Sequence, residues 1–352
     1  MRDVINQTEK TFVPADGLKA SVIVCARNPR TDYLTRVISA LQSQTLIPDR
    51  WELLIIDNGS RNRLQSGHDI SWHPNGRHIR EEEVGLTAAR LRGIKEARGQ
   101  TLVFVDDDSV LAPDYLETAL HIRTAYPYLS VFGTGEIEPE FEAPPPPGVP
   151  ELFEVLGLRT VKEPRWSNHF NDWKTIPWGA GLCVDRVTAA EYWDFVVNFY
   201  GREFISGRGD HLFRGGDDLF SFIASRSGKG FGIFPALRVL HLIPAAKLRH
   251  SYICRLLHDK TISNTILKYR LLGQKEATHT SNRCRTLLHG FVRGWPSMRR
   301  RWAVEKGRAV AMKLIEQRSL KPLNLPPVSC RSCGVASSRD SNGSNDRGVD
   351  QS

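Results

Sequence analysis

The chain has 352 residues, of which 40% are hydrophobic and 25% charged, and these values argue against a fibrous or wholly disordered protein. The N-terminus is polar, and no apolar run approaches the roughly 20 residues that a spanning helix requires. These features predict a globular, cytoplasmic protein.

The net charge of +9 is unevenly distributed along the chain. Residues 247–321 contain 18 Lys and Arg against 4 Asp and Glu, whereas the preceding residues are slightly acidic overall. Such a basic region can be a solvated helical surface, a contact for an acidic partner or an anchor on anionic lipid. Arg299–Arg301, flanked by Trp295 and Trp302, favours peripheral contact with the inner face of a membrane. No nucleic acid partner is expected.

Short apolar runs alternate with helical periodicities in the first third of the chain. The predicted strands are Ala20–Ala26, Trp51–Ile56 and Thr101–Val105, and the predicted helices are Asp32–Gln44 and Val84–Arg98. This order predicts an α/β fold in which a mostly parallel, Rossmann-like sheet is flanked by helices.

The second half of the chain is less regular. Prolines 144–147 mark a boundary, because proline fits neither a helix interior nor a central strand. Further predictions are a helix at 187–197, an edge strand that contains Gly230–His241, and basic helices at 262–272 and 303–315. The resulting division is a polar leader at 1–19, a main domain at 20–246, a basic helical region at 247–321 and a disordered tail at 322–352. Cys330 and Cys333 lie in the tail, where free thiols are favoured over a zinc site because no second pair completes four ligands.

Three consecutive carboxylates, Asp106–Asp108, follow the strand at 101–105. Ligands of parallel sheets bind beyond the carboxyl ends of the strands, and adjacent carboxylates repel one another unless a cation compensates them. Alternation along an extended segment places Asp106 and Asp108 on one side. Oxygen ligands suit Mg²⁺ or Mn²⁺ and allow the ion to bridge to a phosphate. A solvated acidic turn before the next helix is the alternative.

A second acidic pair, Asp217-Asp218, follows Gly215-Gly216. Glycines allow close backbone approach, and carboxylates are favoured in the first turn of a helix by its dipole. An ordinary helix cap explains the same pattern without any catalytic role.

Seven short motifs occur in a fixed order. They are Ser21–Asn28, Leu41–Thr45, Ile55–Ser60, Gly85–Arg90, Phe104–Asp108, Gly179–Gly181 and Gly216–Leu219. In this order and spacing, residues 20–245 resemble the family 2 inverting glycosyltransferases, which have the GT-A fold. The resemblance implies a nucleotide-binding half at 20–125 and an acceptor half at 126–246.

The resemblance also implies roles for individual residues. It implies that Asp218 is the general base and that Asp106, Asp108 and His241 hold a divalent metal, Mn²⁺ or Mg²⁺. The residues implied to bind the donor nucleotide are Arg27, Asn28, Asp57, Arg90 and Asp106. The acceptor or sugar pocket is assigned to Trp178, Gly179, Gly181 and Asp217, the last in place of the glutamate that is more usual in the family.

The expected function is inverting transfer of a sugar from a nucleotide-sugar donor to a hydroxyl of a glycan or lipid-linked acceptor, in surface polysaccharide or glycolipid synthesis. The alternative is a catalytically inactive GT-A scaffold that binds a polyanion or a membrane. A nucleotidyltransferase or a dinucleotide-dependent oxidoreductase is disfavoured, because no glycine-rich phosphate loop follows the first strand.

Overall fold

The structure is a computed structural model that describes residues 17–146, 153–200, 215–274, 295–317 and 320–323. Most of the predicted leader and all but the first two residues of the predicted tail, including Cys330 and Cys333, lie outside the described residues.

The described part of the chain forms one mixed β-sheet. Its strands are β1 (Ala20–Ala26), β2 (Trp51–Asp57), β3 (Gly76–Arg80), β4 (Thr101–Asp106), β5 (Ser109–Leu111), β6 (Leu129–Phe141), β7 (Arg159–Thr160), β8 (Arg165–Ser167), β9 (Leu182–Asp185) and β10 (Gly230–Ile243). The order is β3-β2-β1-β4-β9-β6-β10-β5, with β7 beside β6 and β8 beside β10. Strands β1 to β4 are parallel, and β9 is antiparallel to both β4 and β6. The three predicted strands are confirmed as β1, β2 and β4.

Helices cover both faces of the sheet. They are α1 (Thr31–Gln42), α2 (Leu86–Glu96), α3 (Tyr115–Ala125), α4 (Arg186–Phe195), α5 (Gly216–Arg226), α6 (His250–Leu272) and α7 (Trp295–Gln317). Side chains alternate along β1, so that Val22 and Val24 pack with α1 and α3 while Ile23 packs with α2 on the other face. The predicted α/β architecture is therefore confirmed, including the helices in the basic C-terminal region. The sheet is mixed rather than mostly parallel, because β5, β7, β8 and β9 pair antiparallel with their neighbours.

Two local predictions were wrong. Strand β10 is not an edge strand, because β6 pairs with it on one side while β8 and β5 pair with different parts of its other side. Alternation does not govern the acidic run either, since β4 ends at Asp106 and Asp107-Asp108 form the turn into β5.

The basic C-terminal helices pack against the sheet domain. Ile262 and Ile266 of α6 and Ala311 and Ile315 of α7 are buried in the same apolar core as α2, α4 and α5. None of the helices within the described ranges is long and apolar enough to cross a membrane. Where one domain ends and the next begins stays a prediction.

Candidate functional site

Two loops at the carboxyl ends of β1 and β2 are tied together by hydrogen bonds. Asn28, which has a left-handed backbone (φ 48°), donates its N–H to Ser60 Oγ at 2.9 Å and accepts the Arg61 N–H on Oδ1 at 2.9 Å. The buried Asp57 carboxylate accepts the Ser60 N–H at 3.0 Å and an Arg80 guanidinium N–H at 2.9 Å. Asp57 thus shapes the loop beside which Arg27 lies exposed.

Burial of Asp57 would raise its pKa, but the hydrogen bonds from Ser60, Arg80 and Leu64 outweigh burial and hold the pKa below its ordinary value. The carboxylate is therefore ionised at neutral pH, and its oxygens are used by the protein itself. A contact between Asp57 and a nucleotide stays a prediction.

Arg90 and Asp217 form an ion pair that joins α2 to the first turn of α5. The Asp217 carboxylate also accepts the Gly179 N–H at 2.9 Å. A Cβ on Gly179 would lie 2.5 Å from Arg90 Nη2 and 3.1 Å from Asp217 Oδ2. Three predicted site residues from distant parts of the chain are thereby brought together, and a side chain at Gly179 would require the ends of the Arg90 and Asp217 side chains to shift.

Gly181 lies in an equally restricted position. Its backbone is left-handed (φ 77°), and its carbonyl accepts the buried Tyr115 hydroxyl at 2.5 Å. A Cβ there would overlap the Tyr115 and Thr134 side chains. The Gly179–Gly181 turn is therefore held from the sheet side by α3 and from the pocket side by Asp217.

The acidic turn between β4 and β5 lies close to His241 of β10 and to Lys247, which follows β10. Asp108 Oδ2 accepts Lys247 Nζ at 2.6 Å and lies 3.4 Å from His241 Nε2. Burial would raise the Asp108 pKa, but His241 and Lys247 hold the pKa well below its ordinary range. Asp108 is thus an ionised carboxylate with a lysine as its counterion.

The other two carboxylates of the turn are less well compensated. Burial and the charge of Asp108 raise the Asp107 pKa to about 7. Burial also raises the Asp106 pKa, against the influence of Arg90, while Asp108 and Asp217 add to the rise. Because Arg90 and Asp217 act on Asp106, the turn and the α5 acidic pair face one pocket.

Asp218 is the half-buried carboxylate beside Asp217 in the first turn of α5. Burial and the Asp217 charge raise its pKa to about 7, although Lys260, Arg159 and Arg90 oppose the rise. A carboxylate with this pKa exchanges a proton readily at neutral pH.

Trp178 lies beside this acidic pair and beneath two cations. The Arg159 guanidinium carbon is 3.6 Å from the centroid of the Trp178 ring, and Lys260 Nζ is 5.8 Å from it. Of the other aromatic residues in the 166–178 stretch, Phe170 is core, whereas Trp166 is 50% exposed at the sheet margin against Tyr128. Trp173 packs against Phe170, and its ring centroid lies 5.1 Å from Lys268 Nζ.

Sequence patterns missed three residues of the pocket. Lys247, Arg159 and Lys260 lie in a short 3₁₀ turn (Ala245–Leu248), in β7 and in α6. No motif surrounds any of them, and the one signal was that the chain becomes strongly basic from Lys247 onward.

The donor atoms at the acidic turn suit a hard divalent cation. Asp106, Asp108 and His241 supply carboxylate and imidazole groups near this turn, and the buried His241 Nδ1 has no hydrogen-bond partner in the described residues, so the ring is not fixed by a second bond. Within the described ranges, however, no three His, Cys, Asp or Glu side chains are close enough together to hold an ion. Lys247 now neutralises Asp108, so binding of an ion requires this lysine to move.

The sequence is similar to known glycosyltransferases. Residues 21–166 match the model of glycosyl transferase family 2. A 107-residue segment is 34% identical to the putative glycosyltransferase EpsH of Bacillus subtilis, covering 30% of each chain. A 147-residue segment is 27% identical to a glucosyl-dolichyl phosphate glucuronosyltransferase of Haloferax volcanii, covering 40% of this chain and 44% of that protein. The matched segments therefore span less than half the length of either relative.

Among solved structures, the S. aureus TarS chain 1–349 aligns over 86% of this chain and 92% of its own, with a TM-score of 0.46 and 14% identity. The longer S. aureus TarS structure aligns over 84% of this chain and 55% of its own, with a TM-score of 0.48 and 14% identity.

Proposed function

We propose that the chain, whose residues 21–166 match the model of glycosyl transferase family 2, transfers a sugar from a nucleotide-sugar donor to an acceptor hydroxyl with inversion at the anomeric carbon. The acceptor class is a glycan or a lipid-linked glycan, as in surface polysaccharide or glycolipid synthesis. The relative named as a glucosyl-dolichyl phosphate glucuronosyltransferase supports such an acceptor.

One observation carries the proposal: the environment of Asp218 gives this carboxylate a pKa of about 7. A general base works best when its pKa is near the operating pH, because it is then ionised and still basic enough to take a proton. Asp218 takes the proton of the acceptor hydroxyl while that oxygen attacks the anomeric carbon from the face opposite the leaving diphosphate. One displacement inverts the configuration.

The acidic turn is the proposed position of the donor diphosphate. Asp106, Asp108 and His241 would hold a divalent cation, Mn²⁺ or Mg²⁺, which neutralises the charge of the leaving diphosphate when it is bound. Lys247, released from Asp108, remains beside the same phosphates as a further positive charge. The β1 and β2 loops, with Arg27, Asn28 and Asp57, bound the side of the pocket that we assign to the nucleoside.

Arg90 and Asp217 position the base. The buried Arg90 guanidinium fixes Asp217, and Asp217 in turn holds the Gly179 N–H, so the start of α5 and the Gly179–Gly181 turn are joined. Asp218 is thereby presented from a fixed helix end. The negative charge of Asp217 also contributes to the raised pKa of Asp218.

A donor screen tests the proposal. UDP-, GDP- and dTDP-sugars are incubated with the full chain, with Mn²⁺, with Mg²⁺ or with EDTA, and release of the nucleoside diphosphate is measured. At least one donor is expected to be turned over, and EDTA is expected to abolish turnover until metal is restored. If no donor is turned over or bound, the proposal is wrong.

Two variants assign the base. Asp218→Asn removes the base with little change in volume and is expected to lower acceptor-dependent turnover by about 10²–10⁴-fold while the donor affinity changes little. Asp172→Asn, a neutralisation of an exposed aspartate elsewhere in the acceptor half, is the matched control. Equal activities of the two variants would remove Asp218 from the mechanism, and retention of the donor's anomeric configuration in the product would exclude inversion.

The α7 helix supports the proposed contact with an anionic membrane. Arg299, Trp302 and Lys306 are exposed and follow one another at helical spacing, and Lys306 Nζ lies 5.3 Å from the centroid of the Trp302 ring. A basic helix face with an exposed tryptophan is typical of an interfacial anchor. Peripheral attachment would bring the pocket to a lipid-linked acceptor.

A further inference from the structure

Arg159 has an unusual environment near the proposed base. It lies on β7, donates one N–H from Nη1 to the Ile176 carbonyl at 2.9 Å and covers the Trp178 ring at 3.6 Å. No carboxylate in the described parts of the chain forms an ion pair with Arg159. Because a guanidinium has five N–H donors, several remain for a ligand.

The positive charge of Arg159 is poorly compensated. Burial lowers its pKa to about 10, and the charges of Glu154 and Asp218 offset burial only in part. A partly buried cation of this kind is stabilised by an anion that reaches it.

Lys260 of α6 adds a second positive charge at the same place. Its ammonium lies over the same Trp178 ring, and both Lys260 and Arg159 lower the pKa of Asp218. Two cations from different elements thus converge beside the carboxylate that receives the acceptor proton.

We propose that Arg159 and Lys260 form a binding site for an anionic group, a phosphate or a carboxylate, carried by the acceptor next to the hydroxyl that is glycosylated. The inference rests on the proposed function, because it takes Asp218 to mark the acceptor hydroxyl. The fork of Arg159 binds two oxygens of the anion, and Lys260 supplies a point charge. Trp178 supports the guanidinium, which covers that face of the ring and leaves it closed to a sugar.

The site is tested by anion binding to the full chain, without any need to know the acceptor. Inorganic phosphate and sodium glucuronate are titrated at constant ionic strength, with sodium chloride as the reference, and binding is followed by isothermal calorimetry. The wild-type protein is expected to bind at least one of them, and the two titrants distinguish a phosphate site from a carboxylate site. Arg159→Gln and Lys260→Gln are each expected to weaken binding about tenfold or more.

Two control variants distinguish anion binding at Arg159 and Lys260 from anion binding at other basic residues. Arg255→Gln removes an exposed charge from the same helix as Lys260 and is expected to bind anions as the wild type does. Lys247→Met removes the cation at the acidic turn, so any phosphate bound there is lost in this variant alone. If Arg159→Gln fails to fold, Lys260→Gln and the charge-retaining Arg159→Lys, which loses the fork, give the same comparison.

The result that overturns the inference is no anion binding beyond the chloride reference, or binding that persists unchanged in both Arg159→Gln and Lys260→Gln. Donor turnover in the same preparations keeps the two proposals distinct. If a nucleotide sugar is turned over but no anion binds, the proposed anion site is wrong and the proposed function is retained. If anion binding depends on Arg159 but no donor is turned over, the anion site exists, and both the proposed function and the role of the site in acceptor binding are wrong.

Discussion

At the scale of single residues, Asp218 sets the expected pH dependence. Its pKa of about 7 lies far above that of a free aspartate because the carboxylate is desolvated and adjoins Asp217. The base acts when ionised, so kcat/KM is expected to rise about tenfold per pH unit below pH 7 and to level off above it. Initial rates between pH 5 and 9 measure this profile.

The nearby Asp107 also has a pKa raised to about 7, so it provides the necessary comparison. The inflection near pH 7 is expected to persist in Asp107→Asn and to disappear from the residual activity of Asp218→Asn. If the inflection disappears in Asp107→Asn and persists in Asp218→Asn, the titrating group is Asp107, and the assignment to Asp218 is wrong.

The same carboxylate is expected to destabilise the fold at neutral pH. A folded-state pKa above the unfolded value means that the folded protein retains a proton that the unfolded chain releases, so stability falls as the pH rises from about 4 to about 7 and levels off above pH 7. Asp218→Asn removes this cost and is expected to raise Tm at pH 8 by about 2–4 °C, the shift that roughly 1 kcal/mol produces in a large domain. At pH 4 the difference in Tm should nearly vanish, and a lower Tm for the variant at pH 8 would contradict the assigned pKa.

Gly179 shows how a residue without a side chain determines the site. The Cβ of Gly179→Ala would lie 2.5 Å from Arg90 Nη2, so the buried guanidinium must shift, which is expected to weaken its pairing with Asp217. Breaking a buried ion pair costs about 3–5 kcal/mol when one charge is left uncompensated. Chemical denaturation is expected to show a loss of this order together with loss of donor turnover. Gly67→Ala, where a Cβ meets no atom within 4 Å, is the control that should leave both unchanged.

At the scale of elements, the 3₁₀ turn Ala245–Leu248 places Lys247 in the position of a competitor for metal. Lys247 Nζ binds the same Asp108 carboxylate that we assign to the ion, at 2.6 Å, and the charges and hydrogen bonds of His241 and Lys247 keep Asp108 ionised although burial opposes it. Lys247→Met retains the aliphatic chain and removes the competing charge. Mn²⁺ is therefore expected to bind about tenfold more tightly to the variant, which corresponds to a gain of about 1.4 kcal/mol in binding free energy.

Electron paramagnetic resonance of free Mn²⁺ measures this affinity without a donor. Asp108→Asn should abolish the binding in both backgrounds, and Lys306→Met, on the exposed face of α7, is the control for loss of a lysine. Weaker binding in Lys247→Met would mean that the lysine holds Asp108 in the metal-binding position rather than competing for it.

The strands also show which features of the fold can be predicted from the sequence. Strands β1, β2 and β4 were predictable because each is a short apolar run buried on both faces, and such runs are a local property of the chain. Strand β10 is an internal strand although it contains Pro235, which donates no backbone hydrogen bond, so the prediction of an edge strand was wrong. The structure accommodates this proline at a register shift between Phe234 and Arg238, in the interval between the segments paired with β8 and with β5.

The residues of the candidate site also fall into those that the sequence predicts and those that it does not. Asp106, Asp108, Asp217 and Asp218 occur in short motifs beside turns, so their local pattern predicted them. The counter-charges come from β7, the 3₁₀ turn and α6, and only the packing of these elements brings them to the acids. Long-range charge pairing leaves no periodicity in a sequence, which is why Lys247, Arg159 and Lys260 were not found.

At the scale of the whole molecule, the uneven charge acquires a structural meaning. Within the described residues after 247, basic side chains lie on helices whose apolar sides, with Ile262, Ile266 and Ile315, pack into the common core. Part of this basic surface is used internally, since Lys247 and Lys260 act on the acidic residues of the site. Another part, the face of α7 with Arg299, Trp302 and Lys306, is exposed.

This outward face predicts binding to anionic vesicles. Each basic residue near an anionic surface contributes about 1 kcal/mol, so Arg299→Gln with Lys306→Gln is expected to weaken binding by about an order of magnitude or more. Trp302→Ala should weaken binding with less dependence on salt, because it removes an apolar contact. Co-sedimentation with phosphatidylglycerol and with phosphatidylcholine vesicles at two salt concentrations measures both effects. Lys95→Gln, which removes the charge of an exposed lysine of α2, is the control, and equal binding to both lipids would contradict an electrostatic anchor.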